Sequence, residues 1–391
     1  MIKLTKSTFY KEKETKQRLA KFIVESHQLS FGAECEKFEL AFANYQRRKY
    51  CIFLNSGSSA NLALVQALLN MGKLKHGDKV GFSALTWSTN VMPIIQLGLL
   101  AVPIDVELNT LNVSSSQIKK VLKKHKLKMI FLTNLLGFCD DIDVIKSLCD
   151  KEKILLVEDN CESLGTIFKG RLLGNFGISS TNSFYVGHHM STIEGGMIAT
   201  DSLSLANQLR IVRAHGWDRN LSSSKQSKMR DKFNVNSTFY SRYTFYEQGF
   251  NLRPTEISGF IGNIQIKYLD EITKIRNKNF LELAVPIYND SSRYHAIKYD
   301  HIDFLSNFAV PIVCRSKRIR DELVKKCDGQ VEIRPIVGGD MTNQPFFAKH
   351  SKGLVFDCQN ARLVHEQGLY FPNNPELTHR EKKIMLKIFT S

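Results

Sequence analysis

Ser183-Phe184-Tyr185-Val186-Gly187-His188-His189-Met190-Ser191-Thr192-Ile193-Glu194-Gly195-Gly196-Met197 reads as a strand ending in a turn, then a polar loop, then the start of a second apolar strand. Two histidines occupy the turn, where an imidazole can move protons near neutral pH. Taken alone, a histidine there is more often structural or superficial, and His189 beside His188 weakens a specific claim for either. Outward from this loop, short apolar runs recur at 50–54, 79–82, 100–104, 129–132, 154–157, 181–185 and 196–199. Helical patterns over 60–71 and 89–97 separate the first of them. That alternation predicts an α/β fold with a large, mostly parallel sheet and helices on both faces. Ligand-binding groups of such sheets gather at the carboxyl ends of the strands. Further on, 222–236 is polar and reads as a surface loop, and 265–283 reads as a long helix leaving the first domain. Strand-like 308–313 and 331–336 and helix-like 317–326 then predict a smaller C-terminal α/β domain. The expected division is a large domain over 1–264 and a small one over 265–391.

The 391 residues suffice for both, and 43% hydrophobic with 24% charged residues is the balance of a soluble globular chain. No apolar run reaches membrane-spanning length, and the first residues lack the apolar core of a signal peptide, so a cytoplasmic protein is expected. The eight cysteines form no C-x-C or C-x-x-C pair, which gives zinc or iron–sulfur ligation no support and fits a reducing compartment. Net charge is +16, but the lysines are scattered, with concentrations such as Lys119-Lys120 and Lys325-Lys326 at helical spacings. That is the look of solvated helix faces rather than of a nucleic-acid surface.

Several segments carry potential chemistry. Asn55-Ser56-Gly57-Ser58-Ser59-Ala60-Asn61 follows a strand and opens a helix, where small residues and free amides suit a phosphate; an ordinary serine N-cap explains it equally well. The strand before Glu158-Asp159-Asn160-Cys161-Glu162-Ser163 ends in acids, which can hold a protonated pyridine nitrogen or merely cap the next turn. Trp87, after another strand, offers a face to a planar heterocycle, against the commoner fate of burial. Ser183 closes the strand before the histidines, within reach of the same phosphate. Arg213-Ala214-His215-Gly216-Trp217-Asp218-Arg219-Asn220 is dense in groups suited to sugar hydroxyls or a diphosphate. His215, Trp217 and Arg219 are therefore substrate-side candidates, with packing and surface roles equally open.

Together these motifs resemble the DegT/DnrJ/StrS aminotransferase family, from Phe31-Gly32 near the start to Arg334-Pro335-Ile336-Val337-Gly338-Gly339 near the end. In that family a lysine five residues after the serine and six before the glutamate of Glu-Gly-Gly holds pyridoxal phosphate covalently. Here His188 stands at that place. The resemblance implies the type I fold of pyridoxal-phosphate-dependent transferases. It implies cofactor contacts from Gly57, Ser58, Trp87, Asp159 and Ser183, with Glu162 where the family has a glutamine near the ring hydroxyl. Asn251, in Gly249-Phe250-Asn251-Leu252-Arg253, matches an asparagine that reaches a partner's cofactor phosphate, so at least a homodimer with a shared active site is implied. The histidine version is similar to the branch of 3-dehydratases that make 3,6-dideoxysugars. This implies pyridoxamine phosphate held without a covalent link, glutamate as amino donor, and a nucleotide-diphosphate sugar as substrate. Removal of the C3 hydroxyl of a nucleotide-linked 4-keto-6-deoxyhexose follows, GDP-4-keto-6-deoxy-D-mannose favoured. The alternatives are a nucleotide-sugar aminotransferase and a CDP-sugar 3-dehydratase, whose iron–sulfur ligand set the cysteines here do not match.

Overall fold

A computed structural model describes residues 1–351 and 356–391. Its main sheet has seven strands, β1 (Tyr50–Leu54), β2 (Lys79–Ser83), β3 (Leu100–Ile104), β4 (Met129–Thr133), β5 (Leu155–Asp159), β8 (Ser179–Ser183) and β9 (Gly196–Thr200). Between β5 and β8 lies a hairpin of β6 (Ile167–Phe168) and β7 (Arg171–Leu172). The strand order is β1-β9-β8-β5-β4-β2-β3, and only β9 runs against the rest. Alternate strand residues serve two cores, as the pleat requires. Met129, Phe131 and Val157 pack against the helices Gly57–Asn70 and Leu203–Arg213. Ile130, Leu132 and Leu156 face the helices Ser115–Leu122, Ile142–Glu152 and Leu269–Tyr288. Burial on both faces is why these strands read as continuous apolar runs.

One strand breaks that reading. The sequence places a strand at 181–185, where apolar residues begin, but β8 spans Ser179–Ser183 and is polar throughout. Its register is set by the neighbours, Asp159 opposite Thr181 and Gly196 opposite Ser183. Ser183 is thereby the last strand residue, and the histidines fall in the loop beyond the sheet edge. The segment read as a loop at 222–236 is on the surface but contains a helix, Ser223–Lys232, with no buried residue. A helix polar on every side shows no periodicity from which it can be recognised.

After the helix Leu269–Tyr288, β10 (Tyr294–His295), β11 (Val310–Cys314) and β12 (Gly368–Phe371) form an antiparallel sheet in the order β10-β11-β12, backed by the helix Lys317–Cys327. The strand expected at 331–336 is not one: only the bridges Ile2–Val331 and Arg334–Tyr370 form there. Pro335 lacks the N–H a ladder needs, and Val337 has a left-handed φ of 50° that turns the chain. Among the described residues no helix is long and apolar enough to cross a membrane.

Candidate active site

The carboxyl ends of β1, β2, β4, β5 and β8 open on a cavity of about 360 Å³. At its β1 end, Ser56 caps the helix Gly57–Asn70 by accepting from the Ser59 amide at 3.0 Å. The capping explanation therefore belongs to Ser56, while Ser58 is exposed on the cavity wall. Gly57 is the tightest point: a Cβ there would stand 2.7 Å from that of Ser183, so only glycine lets the helix start beside the β8 edge. Trp87 is 54% exposed and lines the cavity, so it is not the buried tryptophan its local sequence allowed.

Asp159, the last residue of β5, is 5% exposed. Its Oδ2 accepts from Asn61 at 3.0 Å and Asn90 at 2.7 Å, and its Oδ1 from the Cys161 amide at 2.9 Å. These donors are neutral, so the carboxylate is oriented but its charge is uncompensated, which suits a cationic ring nitrogen. Beside it, burial pushes the Glu162 carboxyl up to about 8, opposed by the Leu136 amide at 3.0 Å and helped by the Asp159 charge. The raised value favours the protonated form, in which the carboxyl can donate a hydrogen bond.

His188 meets this group from the loop after β8. Its Nδ1 lies 2.7 Å from the Cys161 carbonyl, which can only accept, so Nδ1 carries the proton and Nε2 the free lone pair. The ring lies 5.2 Å from that of Phe308 and 6.1 Å from that of Tyr185. Burial lowers its pKa, against the Cys161 carbonyl and the Asp159 charge. A neutral imidazole with one lone pair is a general base. Cys161 thus touches both ionisable groups, its N–H on Asp159 and its C=O on His188. His189 points elsewhere: it is 3% exposed, its Nε2 lies 3.1 Å from the Ser306 carbonyl, and burial pushes its pKa well down. No lysine lines the cavity among the described residues. Lys169 sits at the β6–β7 hairpin turn and pairs with Asp143 at 2.6 Å, and Lys225 is exposed on the surface helix.

The geometry and donor chemistry of Gly57, Ser58, Trp87, Asp159, Glu162, Ser183 and His188 suit an anionic pyridine cofactor held without a covalent bond. The other four candidates do not line this cavity. His215, Trp217 and Arg219 cluster with one another, the Arg219 guanidinium 3.9 Å over the Trp217 ring and the His215 ring 4.8 Å from it. Asn251 bridges to Ala214 and accepts from Arg253 Nε at 3.0 Å. Exposed Phe239, Tyr240, Tyr243 and Phe245 lie in the same region, Tyr243 against Arg219 and Phe245 against Trp217. Sequence reasoning missed Asn61 and Asn90, and the walls contributed from afar by Leu4, Thr5, Phe308 and Tyr370. Asn61 lies one helical turn beyond Gly57, a signal that was available; the distant segments carry none. Arg334, quoted only as part of a matching segment, also lines the cavity.

Known proteins resemble this chain in sequence and fold. The chain is 33% identical over 360 residues to a GDP-4-keto-6-deoxy-D-mannose 3-dehydratase of Yersinia pseudotuberculosis, covering 90% of this chain and 89% of that one. The E. coli GDP-4-keto-6-deoxy-D-mannose 3-dehydratase with bound hydrated PLP superposes with a TM-score of 0.90 at 30% identity, covering both chains fully. A structure of GDP-4-keto-6-deoxymannose 3-dehydratase with a trapped PLP–glutamate geminal diamine gives 0.88 at 29% identity, again over the whole of both chains. Residues 10–389 match the DegT/DnrJ/EryC1/StrS aminotransferase family, to which this chain belongs.

Proposed function

We propose that this protein is a pyridoxamine-phosphate-dependent nucleotide-sugar 3-dehydratase. It removes the C3 hydroxyl of a 4-keto-6-deoxyhexose, with GDP-4-keto-6-deoxy-D-mannose as the favoured substrate and glutamate replenishing the cofactor amine. One observation carries the reading: the cavity wall has a neutral histidine where the family anchors its cofactor, and no lysine lines it among the described residues. The names of the relatives at about one-third identity support the substrate class.

When bound, the cofactor supplies an amine for the sugar's C4 ketone and a ring that takes up electrons. Ser58 and Ser183, beside Gly57, would hold its phosphate, and Trp87 would offer a face to the ring. Asp159, fixed by Asn61, Asn90 and the Cys161 amide, keeps the ring nitrogen protonated. Glu162, when protonated, would be available as a donor to the ring hydroxyl. His188 accepts a proton at Nε2, its ring held by the Nδ1 bond to Cys161. A lysine here would tether the cofactor and favour amino transfer; histidine leaves the amine free. Asn251 serves the phosphate site of a second copy, with His215, Trp217 and Arg219 beside it on the substrate side. The protein then works as a cytoplasmic homodimer.

The test is product mass. The purified chain is incubated with pyridoxal phosphate, glutamate and GDP- or CDP-linked 4-keto-6-deoxyhexoses. A product lacking the C3 oxygen is expected, with GDP preferred. An aminated sugar that retains that oxygen would establish the aminotransferase alternative instead.

A further inference from the structure

Arg276, on the helix Leu269–Tyr288, is 4% exposed, yet it has no carboxylate partner among the described residues. A buried cation without a counter-ion is costly, so its surroundings need a reason. Its guanidinium donates only to backbone carbonyls: Nη1 to Phe308 at 2.8 Å and to Asn373, and Nη2 to His188 at 3.4 Å. Asn373 returns a hydrogen bond to the Arg276 carbonyl at 3.0 Å and holds the Asn307 carbonyl at 3.1 Å, next to Phe308. Two of the three gathered carbonyls thus belong to His188 itself and to the residue whose ring packs against its imidazole.

We propose that Arg276 is a positioning residue for His188, fixing the backbone behind the imidazole and Phe308 beside it, while holding a cation without a carboxylate partner 3.4 Å from the His188 carbonyl. This rests on the reading of His188 as the base. Ionisable groups line the two cavities that His188 borders. Asp159 and Glu162 stand at the β5 end, and Tyr185, His189 and Glu194 on its own loop. Arg334 and Tyr370 come from the C-terminal segments, and Tyr10 and Glu376 from behind the loop. Arg276 is the buried cation of the set; the Arg334 side chain is 54% exposed and paired with Glu332. Burial and the Arg276 charge push the His188 pKa the same way, against Asp159 and the Cys161 carbonyl. A proton accepted at Nε2 creates an imidazolium near a like charge, which disfavours the protonated ring.

Two variants separate charge from geometry. Arg276→Gln keeps a donor for the carbonyls and removes the charge; Arg276→Lys keeps the charge and gives up the fork. The His188 ring is titrated by NMR in the full chain labelled with ¹³C-histidine, its signal assigned by its loss in His188→Asn. The midpoint should rise in Arg276→Gln and stay near the wild-type value in Arg276→Lys. The acid limb of kcat/KM should move with it, whereas a purely structural role lowers the rate without moving either midpoint. An Arg276→Gln midpoint equal to wild type overturns the proposal. If that variant does not fold, Arg276→Lys decides: a wild-type midpoint supports the proposal and a fully raised one overturns it. A wild-type chain that forms no 3-deoxy product refutes the dehydratase reading separately, because the titration is read without turnover.

Discussion

Replacing Glu162 by glutamine tests whether the cavity holds a protonated carboxylic acid. Burial raises this group from 4.5 to about 8. A raised carboxyl favours the protonated form in the folded chain. Its stabilising contribution is therefore complete below the unfolded value of 4.5 and is lost as pH climbs through about 8. At about 1.36 kcal/mol for each tenfold change in affinity, the upper limit is on the order of 5 kcal/mol. Glu162 is only half-buried on a water-accessible wall, and screening reduces the expectation to roughly 2 kcal/mol. Glutamine keeps the shape and an acceptor for the Leu136 amide but cannot titrate. Urea unfolding of wild type and Glu162→Gln should accordingly diverge between about pH 5 and 8.5, wild type losing stability relative to the variant as pH rises. Cofactor affinity of the variant should persist and become flat over the same window. Stability curves that run parallel across it would refute the account.

Two further substitutions probe the base and the buried carboxylate before Asp159. Glu158 is fully buried; its Oε1 accepts from the Phe176 and Gly177 amides, each at 2.7 Å, and its Oε2 from Gly174 at 2.7 Å and Asn134 at 3.0 Å. Glu158→Gln sets an amide NH₂ against those donors and should cost about 2–4 kcal/mol in a denaturant titration; an unchanged midpoint would show that the loop simply re-forms. His188→Asn should bind cofactor yet slow elimination by roughly 10²- to 10⁴-fold in a product-mass assay, and normal turnover would remove His188 from the base role.

Much of the site was legible because a single short segment supplies each member at a strand end. Asp159 closes an apolar strand, Trp87 follows another, and Gly57 opens a helix in a run of small residues. His188 was marked by its place in the loop ending in Glu-Gly-Gly, at the position that the resembled family fills with lysine. The polar strand β8 was misread by two residues because hydrophobic pattern locates a strand only where burial is apolar. Here ladder pairing with β5 and β9 sets the register instead.

From the chain alone came the alternating α/β plan and the residues at the strand ends, which follow from local periodicity, while the histidine in place of a lysine came from the resemblance to a known family. The folded molecule decided what depends on segments far apart in sequence. Phe308, Tyr370 and the start of the chain close the cavity wall, and the Cys161 carbonyl selects the His188 tautomer. Burial raises the Glu162 carboxyl and lowers the His188 imidazole from their ordinary values. Hydrogen-bond direction and desolvation are properties of a three-dimensional neighbourhood, and no spacing along the chain encodes them.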